Sequence, residues 1–261
     1  MKNVDWNKLP LITLGFWILK IAATTLGETA GDLLSMTILK DDSGANYQVS
    51  SVILLSAFLI ILPFQVASRK YHPFLYWAVI VATSTAGTTM SDFMDRKLGL
   101  GYMNGSAILL AMLLTTLGFW YFSGQPMSVN KIRTRKVEVL YWVAILFSNT
   151  LGTALGDFLA DDSGLGFMGG AAVIGGLIAL VAAAYYLTKI PRVVLFWVAF
   201  ILTRPFGATF GDVLTKPPSE GGIGFGQGGS SAVLLGILLV GVIVTLVKLR
   251  RQAALQPVTA S

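Results

Sequence analysis

Five carboxylates and two cations stand at helical spacing inside apolar segments of this 261-residue sequence, and together they define the chemistry it could perform. Stepping four residues at a time gives Lys20, Thr24, Glu28 and Asp32 in one segment and Ile80, Ser84, Thr88 and Asp92 in a second. A third gives Ile145, Asn149, Thr153 and Asp157, and a fourth gives Phe200, Arg204, Ala208 and Asp212. Four residues advance about 400° on a helix, so each set forms one slowly rotating polar stripe. Charges are costly in lipid, so four stripes in register are expected to face one another or a wet cavity. Glu28, Asp32, Asp92, Asp157 and Asp212 are the candidate metal ligands, with Thr24, Ser84, Thr88, Asn149 and Thr153 as neutral partners. An oxygen-rich set with no cysteine and a single histidine, His72, suits a hard cation such as Mg²⁺, Ca²⁺ or Mn²⁺.

The composition identifies the elements that must position these groups. Hydrophobic residues make up 54% of the chain and charged residues 12%, against roughly 25% charged in soluble domains. Mean hydropathy is +0.72. The class is therefore a polytopic all-α membrane protein. Apolar runs near 11–37, 50–68, 73–94, 104–122, 138–160, 169–188, 192–214 and 231–249 predict eight transmembrane helices, each of roughly 20 residues. No cleaved signal peptide is expected at the polar N-terminus.

The spans fall into four copies of one pattern. Trp17, Trp77, Trp142 and Trp197 each precede an aspartate by the same interval, and the endings are G-E-T-A-G-D, G-T-T-M-S-D, G-T-A-L-G-D and G-A-T-F-G-D. A single transmembrane domain, 1–261, with two-helix repeats at 11–68, 73–122, 137–188 and 192–249 and a cytoplasmic tail at 250–261 follows. Because each repeat holds an even number of spans, all four are parallel, as a pseudo-fourfold or a two-plus-two bundle. The helix rise places each Asp near one membrane boundary, with Glu28 about a turn deeper and Lys20 and Arg204 deeper still. Gly27, Gly31, Gly87, Gly152, Gly156, Gly207 and Gly211 are expected to let helices approach closely. Pro205 is expected to disturb its helix after Arg204.

Charge sets the orientation. Lys2, Lys8, Arg69, Lys70, Lys131, Arg133, Arg135, Lys136, Lys189, Arg192, Lys248, Arg250 and Arg251 lie at the termini or between repeats, whereas the opposite loops hold Lys40, Arg96, Lys97 and Lys216. Both termini are thus expected in the cytoplasm, and the net charge of +6 calls for no nucleic-acid partner. Acids concentrate on the other side, where they would attract cations.

The segments T-L-G-F-W-I-L-K-I-A-A-T-T-L-G-E-T-A-G-D, H-P-F-L-Y-W-A-V-I-V-A-T-S-T-A-G-T-T-M-S-D-F and L-T-R-P-F-G-A-T-F-G-D-V-L-T-K-P resemble an uncharacterised family of bacterial membrane-anchored proteins, over about residues 8 to 249. The resemblance implies a multi-pass protein of the bacterial inner membrane with four internal repeats, and it brings no assigned activity.

Function is therefore argued from the stripes. The leading reading is a secondary transporter or channel for a cation, in particular a divalent one, entering past the Asp ring toward Glu28, with no cofactor beyond that ion and the lipid bilayer as surroundings. An alternative uses Lys20, Arg204 and Asn149 to bind a small anionic or zwitterionic molecule. A third is a non-transporting scaffold in which the Asp residues cap helices or pair with Arg96, Lys97, Arg204 or Lys216. The G-L-G-Y, G-L-G-F and G-I-G-F loops around Tyr102, Phe167 and Phe225 admit a carbonyl-filter reading. An enzyme is not expected: an intramembrane aspartyl protease would need G-x-G-D, which is absent, and no nucleophile elbow, Walker or zinc-hydrolase motif occurs.

Overall fold

The computed structural model describes residues 9–68, 70–127 and 134–255. Of the charges used above for orientation, Lys2, Lys8, Arg69, Lys131 and Arg133 lie outside the described residues, as do tail residues 256–261. Eight long helices dominate what is described: α1 Leu14–Asp32, α2 Ala45–Ala67, α3 Pro73–Asp92, α4 Gly101–Phe122, α5 Arg135–Asp157, α6 Gly166–Leu187, α7 Arg192–Thr215 and α8 Gln227–Leu255. The tail expected from residue 250 therefore begins as a continuation of α8. Helix starts follow local chemistry. Thr13 and Thr134 accept from the main-chain N–H groups of Phe16 and Val137 at 3.3 Å each, and Pro73 opens α3 where its missing N–H costs nothing.

Six of the helices, α2 and α4 to α8, are long and apolar enough to cross a membrane. α1 and α3 are more polar, because α1 carries Lys20, Glu28 and Asp32 and α3 is built on Thr83, Ser84, Thr85, Thr88, Thr89 and Ser91. These side chains are nonetheless buried, so the polar helices form the interior. Large apolar side chains such as Ile60, Phe64, Leu114, Leu180 and Val240 are exposed on α2, α4, α6 and α8. An apolar exterior over a polar interior is the arrangement a lipid surrounding selects.

The odd helices close a cycle of contacts, α1 on α3, α3 on α5, α5 on α7 and α7 on α1. Each even helix packs chiefly on the odd helix of the next repeat: α2 on α3, α4 on α5, α6 on α7 and α8 on α1. The two helices of a repeat splay, and it is the neighbouring repeat that fills the gap. Both flanks of every odd helix are taken by other odd helices, which leaves the groove between successive odd helices for the even one.

Glycine makes the cycle tight. A methyl group on Gly27 would stand 2.3 Å from Cβ of Ser84, on Gly87 3.0 Å from Cβ of Asn149, and on Gly152 2.3 Å from Cγ of Arg204. On Gly207 it would stand 2.8 Å from the main-chain carbonyl carbon of Thr24. The same stripe position of each odd helix thus nests against a glycine of its neighbour, and small residues permit that approach where larger ones could not.

Candidate cation site where the odd helices meet

The four stripes converge. Toward the Asp end of the odd helices lies a cavity of about 140 Å³, lined by Glu28, Asp32, Asp92, Asp157 and Asp212 together with Met36, Arg96, Asp161, Phe167, Lys216 and Glu220. Seven of these eleven are carboxylates and two are cations. Glu28, Asp157 and Asp212, all buried, offer ligand oxygens within 4.8 Å of one another. Oxygens that share one Ca²⁺ at about 2.3–2.6 Å lie no more than about 5 Å apart, so this grouping has the span of a single coordination shell. Asp32 Oδ1 and Asp92 Oδ2 are buried and have no hydrogen-bond partner among the described residues. Buried carboxylate oxygens ordinarily find donors, and these two belong to residues that line the cavity.

Two cations close part of the rim. Arg96 Nε lies 2.9 Å from Asp92 Oδ1 and its Nη2 3.4 Å from Asp157 Oδ2, bridging α3 to α5. Lys216 Nζ lies 3.8 Å from Asp212 Oδ1. Burial would lower the Lys216 ammonium, but the Asp212 and then the Asp32 carboxylates outweigh it and hold the group above its ordinary range. Arg96 is raised in the same way, with Asp92 and Asp157 overcoming burial. Lys97 turns elsewhere and donates to the Ser43 carbonyl at 2.6 Å.

Beneath the cavity the axis is filled by Arg204. Its Nη1 donates to Glu28 Oε2 at 3.0 Å and to the Thr24 carbonyl at 3.3 Å, and its Nη2 donates to the Ser84 carbonyl at 3.4 Å and to Thr153 Oγ1 at 2.6 Å. The Thr88 hydroxyl takes a further bond from Nη2 and itself donates to the same Glu28 oxygen at 3.2 Å. One side chain of α7 thus grips α1, α3 and α5 together. Asn149 Nδ2 donates to Thr83 and Ser84 hydroxyls at 3.0 and 3.2 Å, and Thr24 Oγ1 donates to the carbonyls of Lys20 and Thr203. Lys20 is fully buried, has no hydrogen-bond partner for Nζ among the described residues, and lies 4.0 Å from the Phe200 ring centroid.

Of the residues read from the sequence as a site, five line the cavity and the others lie below it. Lys20, Thr24, Ser84, Thr88, Asn149, Thr153 and Arg204 are absent from the lining. Lys20 lies over the Phe200 ring, and Arg204 is held by Glu28 and by hydroxyl groups.

The sequence reading missed two features. An aromatic residue stands directly before each tryptophan, as Phe16, Tyr76, Tyr141 and Phe196. Each such ring reaches the tryptophan of the next repeat, with Phe16–Trp77 at 5.8 Å, Tyr76–Trp142 at 5.6 Å, Tyr141–Trp197 at 6.2 Å and Phe196–Trp17 at 5.8 Å between centroids. The result is a closed aromatic band around the end of the bundle away from the Asp residues. Tyr76 and Tyr141 join hydroxyls at 2.9 Å inside it. The second feature is a π-helical turn after each of the first three aspartates, Leu33–Ile38, Phe93–Lys97 and Phe158–Asp162. A π turn widens the helix and redirects the side chains that follow it. In α7 the α-helix continues to Thr215 instead.

The glycine loops form tight turns. Gly99, Gly101, Gly164 and Gly166 have positive φ values of 66–76°, as turns require, and stand in open space. Glu138 is fully buried in α5 and accepts from Gln65 of α2 at 3.1 Å.

A helical bundle with an apolar exterior, membrane-length helices and a polar interior defines the class as a helical membrane protein built from internal repeats. Residues 15–71, 75–125, 140–190 and 195–251 each match a family described as a repeat of unknown function (DUF347), and the chain belongs to that family. Comparison with curated proteins and with solved structures gives no match.

Proposed function

We propose that this protein is a carrier for a hard, divalent cation in the inner membrane of a bacterium. In this reading all eight helices span the bilayer in a pseudo-fourfold bundle, with the basic connections and both termini cytoplasmic and the acidic cavity facing outward. The observation that carries it is the buried grouping of Glu28, Asp157 and Asp212 within 4.8 Å, beside the partnerless oxygens of Asp32 and Asp92. Acidic residues at the mouth would concentrate cations, and the inner carboxylates would replace part of the ion's water shell. Arg204, Phe200 and the aromatic band fill the axis beyond the cavity, which favours an alternating carrier over an open channel. The chemistry is binding and passage, without a catalytic step.

Arg204's hold on the other three odd helices favours one alternative, a membrane scaffold. The partnerless aspartate oxygens weigh against it, since a scaffold would satisfy them internally. The anionic-substrate reading lacks a free cation lining the cavity: Arg96 and Lys216 are already paired with aspartates.

The test is uptake of Ca²⁺ and Mn²⁺ by liposomes carrying the purified protein. Glu28→Gln and Asp32→Asn are each expected to lower uptake by about tenfold or more, the order that loss of a charged ligand implies. Unchanged flux in both variants would overturn the assignment.

A further inference from the structure

Glu28 occupies two positions in the chemistry at once. It belongs to the three-carboxylate grouping at the cavity, and its Oε2 is held by Arg204 and Thr88. A carboxylate held by a guanidinium cannot give its full charge to an ion, and a divalent ion entering beside Arg204 would be repelled by it. The hold itself costs something to release, because the same guanidinium bonds the Thr24 and Ser84 carbonyls and the Thr153 hydroxyl. It is also incomplete, since Arg204 Nε finds no acceptor among the described residues.

We infer that Arg204 is a tethered competitor for the transported ion and thereby determines its charge: an ion binds fully only by displacing the guanidinium from Glu28. This inference rests on the cation-carrier reading above and names the residue that selects divalent over monovalent ions. Without the ion, Arg204 neutralises Glu28 and ties α1, α3, α5 and α7 into one closed unit. A monovalent alkali ion gains too little from the carboxylates to offset the lost guanidinium bonds. A divalent ion gains roughly twice the charge interaction with each carboxylate. Displacing Arg204 also frees its bonds to three helices, so loading and loosening of the bundle are the same event.

Thr153 provides the test that charge removal alone cannot. As a neutral ligand its hydroxyl would strengthen ion binding. As an anchor that holds Arg204 in the closed arrangement it would weaken ion binding, because any loss of anchorage shifts the population toward the ion-competent form. The two roles predict opposite signs.

The experiment measures ⁴⁵Ca²⁺ binding to the purified full-length protein in nanodiscs, with Na⁺ as challenger. Thr153→Val is expected to bind Ca²⁺ about tenfold more tightly than wild type, the equivalent of one lost hydrogen bond to a charged group. Arg204→Gln is expected to bind at least as tightly as Thr153→Val and to become sensitive to Na⁺. If Arg204→Gln does not fold, the isosteric Thr153→Val decides the matter alone. Unchanged or weaker Ca²⁺ binding by a monodisperse Thr153→Val protein overturns the role of Arg204 while leaving the carrier reading intact. Wild-type protein that binds neither Ca²⁺ nor Mn²⁺ overturns both.

Discussion

Asp95 and Arg96 are neighbours in the π turn beyond α3, and their environments act on them for different reasons. Burial lifts the Asp95 carboxyl from 3.8 to about 6, against the Ser91 hydroxyl that donates to its Oδ2 at 3.0 Å and the nearby Arg96 charge. The folded protein therefore holds a proton there more tightly than the unfolded chain does. That contribution to stability is fully present below about pH 4 and is lost as pH rises through about 6. Asp95→Asn keeps a neutral side chain at every pH, so the melting temperature of wild type should fall relative to that variant between pH 4 and pH 7. Parallel melting curves across this range would show that the carboxyl is not held protonated. At this scale much was legible in the sequence: the stripe positions needed only a four-residue step. The identity of each partner was not, because Glu28 and Arg204 sit on helices 1 and 7, whose adjacency exists only once the cycle closes. Arg96 likewise reaches Asp157 across a distance no linear spacing records.

The odd helices are positioned by glycine, and the consequence can be measured one helix pair at a time. At Gly27 an added methyl group would overlap Ser84 at 2.3 Å from its Cβ and 2.9 Å from its carbonyl carbon, so main chain as well as side chain must move. Gly118 in α4 and Gly236 in α8 face open space, with nothing within 4 Å of a methyl group. Gly27→Ala should therefore lose about 1–3 kcal/mol through overpacking. Gly118→Ala and Gly236→Ala should be neutral or gain up to about 1 kcal/mol from helix propensity. Thermal unfolding in detergent checks the contrast, and equal effects at all three sites would refute close packing as the reason for the α1 glycines. The glycine pairs were visible in the sequence as small residues four apart. The splay of each repeat was not, because α2, α4, α6 and α8 are apolar on nearly every side and so carry no facial pattern to say which neighbour they cover. The aromatic residue before each tryptophan was equally visible, yet its contact depends on which neighbour the cycle brings next to it.

Closure of the cycle makes α8 as much a part of the first repeat's surroundings as of the fourth. Ser231 near the start of α8 donates to Thr29 near the end of α1 at 2.8 Å, and Gly241 further along packs on Leu19. The two helices thus run antiparallel, and α8 ends toward the start of α1. Covalent order should then matter less than the contacts it delivers. A circular permutant that joins residue 255 to residue 9 by a flexible linker and opens the chain between Lys189 and Ile190 keeps every helix pair, including α6 on α7. It is expected to elute as a single folded species and to bind Ca²⁺ as the unaltered protein does. Deleting residues 227–261 removes α8 and bares the Leu19 and Thr29 side of α1, so that chain is expected to aggregate. Size-exclusion chromatography with Ca²⁺ binding distinguishes the cases. An aggregated permutant, or a folded and ion-binding chain without α8, would mean that the bundle is held by its linear hairpins after all, with the closing contact between α8 and α1 contributing little.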